Sequence, residues 1–276
     1  MAGAFVSAAP PAYSSHPLPF PMPNIDLQTQ YLEVEVRDRV LRVRINRPRK
    51  RNSTTQDMYR GLKRAAIIAD TDPEIDAMLL TGTGDVFGCG GDMSGEMEQP
   101  DVLNAELDQT DHFPFRHFEQ CRKVIVAAVN GLCHAGGLDL CLHCDVIVAS
   151  DRATFRVPEL LRGAPEPWMA ARLAAFVGLA KAKYLLFTAA AIDAAEAERI
   201  GLVGTVVPHA QLDEHVEWVL EQIRLTGPRA RMLVKDEINR QLPAVDMNVF
   251  RRELMSPEMA EGMMAFLEKR PPRWPR

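Results

Sequence analysis

From residue 31 to about residue 160 the chain alternates segments of strand period with segments of helical period. Such a chain hides its apolar residues best as a layered α/β core. YLEVEV (31–36) and VLRVRI (40–45) alternate in character, which predicts two strands joined by a tight turn at Arg37–Arg39. NRPRKRNSTT (46–55) is a basic loop ending in helix-capping residues, and Met58, Leu62, Ala65, Ala66 and Ala69 then fall at helical spacing. Pro73 ends that helix, AMLL (77–80) reads as a buried strand and TGTGDVFGCGGDM (81–93) as a loop. Residues 94–112 are polar and loosely patterned. A helix over 113–121 leads to the strand KVIVAAV (123–129), a turn at NGLCHAGG, a helix at LDLCLHC and the strand DVIVAS (145–150). ATFRVPELL (153–161) adds an extended piece with a proline before an acid. Beyond residue 168 helices dominate, with GLVGTVV (201–207) the strand-like exception.

The first 23 residues hold six prolines and no Lys, Arg, Asp or Glu. A secretory signal needs a basic start and an unbroken apolar run, and a mitochondrial presequence needs arginines. Residues 1–26 therefore read as a disordered tail, 27–208 as the core and 209–276 as a C-terminal helical region. No run of about 18 apolar residues occurs, so no membrane span is expected. A net charge of −5 argues against a general nucleic-acid binder. Five cysteines, an odd number, suggest reduced thiols and a cytoplasmic setting.

Several motifs compete. Cys141 and Cys144 form a C-x-x-C beside Cys133, His134 and His143, yet the pair lies inside an apolar helical run rather than on a zinc knuckle, so we expect buried thiols and no metal. GTGDVF (82–87) and GCGGDM (88–93) lack the third glycine of the dinucleotide fingerprint. Ala135-Gly136-Gly137 precedes a helix, and Gly90-Gly91 closes a loop after a buried strand. Free backbone N–H groups from two such loops can grip one carbonyl oxygen as it becomes an oxyanion. Two acids accompany them. Asp139 lies one helical turn after Gly136, and Glu159 sits among Phe155, Val157, Leu160 and Leu161, where a raised pKa would suit proton transfer.

These residues carry a family resemblance. VFGCGGDM (86–93) is similar to the first oxyanion motif of the crotonase, or enoyl-CoA hydratase/isomerase, superfamily, A-F-x-A-G-x-D-[IL]. VNGLCHAGGLDLCLHCDVIVASDRATFRVPELLRG (129–163) resembles the second, with its N-G-x-x-x-G-G-G-x-E-[LM] core and following P-E-[LI]. IGLVGTVVP (200–208) and EGMMAFLEKRPPRW (261–274) agree as well. The resemblance spans about residues 30–274. It implies an α/β spiral of repeated strand–strand–helix turns with a C-terminal helical trimerisation region, assembled as a homotrimer or a hexamer of two trimers. It further implies that Gly91 and Gly136 hold the thioester oxygen of an acyl-CoA, and that Asp139 and Glu159, 20 residues apart, are the catalytic acids of a hydratase. Arg49, Arg51, Cys89 and Asp92 would lie beside coenzyme A, within the basic cluster that Arg47 and Lys50 complete. Phe266 and Lys269 would reach toward coenzyme A of a neighbouring subunit. No separate cofactor is implied, since coenzyme A is part of the substrate.

Two departures matter. The usual first acid is Glu, and Asp139 is one methylene shorter; a misplacement of about 1 Å can cost on the order of 100-fold in rate. Where many hydratases carry P-G-A-G-G, this chain has APEPWMA (164–170), so Glu166 and Trp168 can enter or cap the pocket. Hydration of a 2-enoyl-CoA is the first expectation. The alternatives are a double-bond isomerase using Glu159 alone, a thioester hydrolase or decarboxylase on the same site, and a non-catalytic acyl-CoA-binding protein.

Overall fold

Leu32–Arg37 (β1) and Val40–Ile45 (β2) form the antiparallel hairpin that their alternation predicts, with Leu32 opposite Ile45 and Arg37 opposite Val40. This is a computed structural model of the chain, and it describes residues 25–96, 98, 113–253 and 256–275. The proline-rich tail up to residue 24 and most of the polar stretch 94–112 lie outside the described residues. Beyond the hairpin, Ala77–Gly82 (β3), Val124–Val129 (β5), Val146–Ser150 (β7) and Thr205–Val207 (β10) extend one six-stranded sheet in the order β1-β2-β3-β5-β7-β10, parallel from β2 onward.

The central strands are apolar throughout because both faces are covered. Ala77, Leu79, Val126, Ala128 and Val148 pack on one side against Leu212, Val216 and Leu220 of the helix Leu212–Leu225 (α6). Met78, Leu80, Ile125 and Ala127 pack on the other side, against Met58, Leu62, Ala65 and Ala69 of the helix Gln56–Thr71 (α1). Thr55 caps α1, its hydroxyl accepting from Met58 N at 3.2 Å.

A second sheet is the main correction to the segment reading. Val86–Gly88 (β4), Leu132–His134 (β6), Thr154–Arg156 (β8) and Ile192–Asp193 (β9) form a four-stranded sheet, the first three within stretches whose local pattern predicts loop, turn or extended chain and β9 within the stretch read as mostly helical. With two or three residues each, these strands are too short to show a period. β3 and β4, β5 and β6, and β7 and β8 each send one strand to each sheet, which is the strand–strand–helix spiral that the resemblance implies. Short helices Phe115–Gln120 (α2) and Gly136–Leu142 (α3) complete two of the turns.

The C-terminal half adds Pro167–Thr188 (α4), broken at Gly178 (φ 76°, ψ 158°), then Ala194–Arg199 (α5), α6, Pro228–Asn239 (α7), Met247–Glu253 (α8) and Pro257–Leu267 (α9). α7 is tied to the core by Lys235, whose buried Nζ reaches Asp145 at 2.7 Å and the Phe118 and Lys123 carbonyls at 3.0 and 3.1 Å. Cys133, Cys141 and Cys144 are buried, with the Cys144 thiol donating to the Leu140 carbonyl at 3.3 Å, as core thiols do. No described helix is long and apolar enough to cross a membrane.

Candidate active site

The two glycine loops meet because each is tied to a neighbouring element. Thr54 pairs with the first loop in a short parallel bridge, its N–H donating to Gly90 O at 2.9 Å and its carbonyl accepting from Asp92 N at 2.9 Å. Ala135 N donates to Arg156 O at 3.0 Å, which holds the second loop to β8. The contact leaves no room for a side chain on Gly90 or Gly136. A Cβ on Gly90, which has φ +108°, would lie 2.6 Å from that of Ala135. A Cβ on Gly136 would lie 3.6 Å from Gly91 N and 2.6 Å from the Tyr59 phenol oxygen. Among the described residues neither the Gly91 nor the Gly136 N–H donates to a protein acceptor. Both glycines line one cavity of about 250 Å³.

Asp139 and Glu159 line the same cavity. Asp139, on α3, is buried, and its Oδ1 accepts no hydrogen bond. Burial first, and the Glu159 charge second, push its carboxyl well above the usual range, against the pull of Arg172. His143 lies one turn further on, with Nδ1 2.7 Å from the Asp139 carbonyl; burial lowers its pKa to about 4, so it is neutral and donates that Nδ1–H. Glu159 opens a 3₁₀ turn, Glu159–Arg162, directly after Pro158. Its Oε2 is buried without a partner, and burial raises its pKa to about 7.

A third carboxyl shares the space. Glu166 precedes α4, its Oε1 is buried and unpartnered, and burial together with the charges of Asp139 and Glu159 pushes it well above the usual range. Among the described lining residues there is no Lys or Arg to balance these acids. Tyr59, from α1, completes this wall, and its phenol is raised by burial and by all three carboxyls. The rest of the lining is Thr54, Gln56 and Asp92 together with four aromatic residues, Phe113, Phe115, Trp168 and Phe250, with Trp168 5.1 Å from Phe250 and 5.3 Å from Phe113. Tyr59, Phe113, Phe115 and Phe250 escape a sequence reading because each looks like an ordinary helix or core residue. The loop change at 164–170 does flag Glu166 and Trp168.

The positions expected beside coenzyme A separate into two groups. Arg49, Lys50 and Arg51 are exposed on and just after the 3₁₀ turn Pro48–Lys50, and the half-buried Cys89 lies under it with Sγ 3.7 Å from Lys50 O. Arg47 corrects the simple picture of a basic surface cluster. It is buried, hydrogen-bonds the Ser53 hydroxyl at 2.6 Å and pairs with Glu96 at 2.6 Å and Asp92 at 3.2 Å, so it clamps the loop. Asp92 is correspondingly engaged by Arg47 and Ser94. Phe266 lies within the same chain under the Arg162 guanidinium, 4.4 Å from the ring centre, and Lys269 is exposed just beyond α9.

Residues 35–276 match the family model for enoyl-CoA hydratase/isomerase. The chain belongs to the enoyl-CoA hydratase/isomerase family. It is 32% identical over 250 residues to a probable enoyl-CoA hydratase of Mycobacterium bovis, covering 87% of this chain and 96% of the relative. It is also 32% identical over 255 residues to a short-chain-enoyl-CoA hydratase of Clostridium acetobutylicum, covering 89% and 97%. The crystal structure of an enoyl-CoA hydratase/isomerase from Pseudoalteromonas atlantica superposes with a TM-score of 0.80 at 29% identity, over 89% of this chain and all of the other. The crotonase-like spiral described above is thus the family's fold, and the protein is an enzyme of that family.

Proposed function

We propose that this enzyme adds water to a 2-enoyl-CoA thioester. The observation that carries the reading is the convergence of Gly91, Gly136, Asp139 and Glu159 on one cavity. In this reading the thioester oxygen sits between the Gly91 and Gly136 N–H groups, which stabilise the charge that develops there. Ionised Glu159 takes a proton from water as its oxygen bonds to C3. The C2–C3 π electrons move into an enolate, and Glu159 then returns the proton to C2. Asp139, holding its own proton, hydrogen-bonds and orients the water. Exposed Arg49 and Arg51 face the anionic coenzyme, with Cys89 and Asp92 beneath them. Phe266 and Lys269 close over it, in a trimer or a pair of trimers. Five unpaired cysteines suit the cytoplasm.

One observation favours a second reading. Hydration needs Asp139 to hold the water, and a carboxyl whose pKa burial pushes up accepts a hydrogen bond from water less well, whereas moving a double bond needs Glu159 alone. The experiment is to follow loss of the conjugated enone absorbance of a 2-enoyl-CoA panel. Glu159→Gln should abolish turnover while a saturated acyl-CoA still binds, and unchanged turnover would exclude this acid as the proton carrier. Equal loss in Asp139→Asn supports hydration, and a much smaller loss supports isomerisation.

A further inference from the structure

We propose that Glu166 recognises a hydroxyl group on the acyl chain, beyond the carbons that react. The inference rests on the acyl-CoA reading of the cavity and narrows its substrate class. Gly91 and Gly136 fix the thioester carbon, and Asp139 and Glu159 flank the next two. Glu166 lines the same cavity from the start of α4, two residues before Trp168, which packs on Phe250 and Phe113, and so can meet a substituent carried further along the chain. Its Oε1 is buried and has no hydrogen-bond partner among the described residues. An all-apolar chain entering this space would seal that oxygen away from water with nothing to bond, and a site built around such a group discriminates against ligands that leave it unsatisfied.

A hydroxyl is the substituent that satisfies Glu166 in either state. It donates to the carboxylate and accepts from the carboxylic acid. Burial first, and the charges of Asp139 and Glu159 after it, favour the second form, and no described lining residue is cationic to oppose them. The flat walls of Trp168, Phe113 and Phe250 meanwhile accommodate the hydrocarbon of the chain.

The test is calorimetric titration of the full chain with hexanoyl-CoA, its terminally hydroxylated form, the isomer hydroxylated one carbon earlier, and the terminally aminated form. These saturated thioesters do not react. A preference therefore stands or falls here even if the enzyme proves not to be a hydratase, and failed turnover on enoyl-CoAs leaves this result untouched. We expect one hydroxylated form to bind about 10–100-fold more tightly than hexanoyl-CoA. Glu166→Leu should bring that ratio near one, and Glu166→Gln, which keeps an amide in place, should retain part of it. Equal affinities in the wild type, tighter binding of the plain or aminated chain, or a preference that survives Glu166→Leu would each overturn the proposal.

Discussion

With one oxygen buried and unpartnered, the Glu159 carboxyl ionises at about 7 instead of its ordinary 4.5. The sign of the consequence follows from which form is needed. If ionised Glu159 is the base, kcat/KM for hydration should fall about tenfold per pH unit below that value and level off above it. Stability runs the other way. The folded state favours the protonated form, so the contribution is full below the unfolded pKa and lost as pH rises through about 7. Glu159→Gln should therefore gain melting temperature relative to wild type at about pH 8 and little at about pH 5. A pH–rate profile and paired melting curves check both, and a flat profile through neutrality would show that Glu159 does not titrate as the base. A sequence reading reaches this residue because an acid after a proline among apolar neighbours is conspicuous. It cannot reach Tyr59 in the same way, since its phenol meets Gly136 only when α1 and the second glycine loop are stacked.

Among the elements, α9 lies against the turn that carries Glu159. A Cβ on Gly262 would stand 2.3 Å from the carbonyl carbon of Arg162, and one on Gly163 would stand 2.6 Å from Glu258 O. Backbone thus meets backbone, with no flexible side chain to yield. Gly262→Ala should push α9 off the turn, destabilising the fold by about 1–3 kcal/mol and lowering kcat through displacement of Glu159. Differential scanning calorimetry alongside turnover would show the two effects together; full stability and full activity would mean that the helix is not packed as described. The long strands and α1 were legible in the chain because five or more residues establish a period. β4, β6, β8 and β9 were not, since so few residues cannot establish one and only a partner strand makes them strands.

For the molecule as a whole, several large apolar side chains of the C-terminal helices face outward. Leu179 and Phe187 of α4 are 68% and 72% exposed, and Leu225 at the end of α6 is 75% exposed. Val234 and Ile238 of α7 and Leu267 of α9 are exposed as well. Side chains of this kind are available to a contact surface, and the family resemblance implies a trimer. Light scattering should then return about three or six times the 30.8 kDa of one chain, and Phe187→Glu should shift it downward. A monomer at micromolar concentration would contradict the assembly. By itself the sequence determined the family, the long strands of the main sheet, the two glycine loops and the Asp139–Glu159 pair, because short contiguous motifs and strong periodicity encode these locally. Only the tertiary structure decided that Arg47 is a buried clamp, that the Glu166 carboxyl is buried beside the two acids in one cavity, and that Tyr59 borders the glycines. Burial, charge neutralisation and pKa depend on what distant segments bring to the same few ångströms, and no stretch of chain carries that information alone.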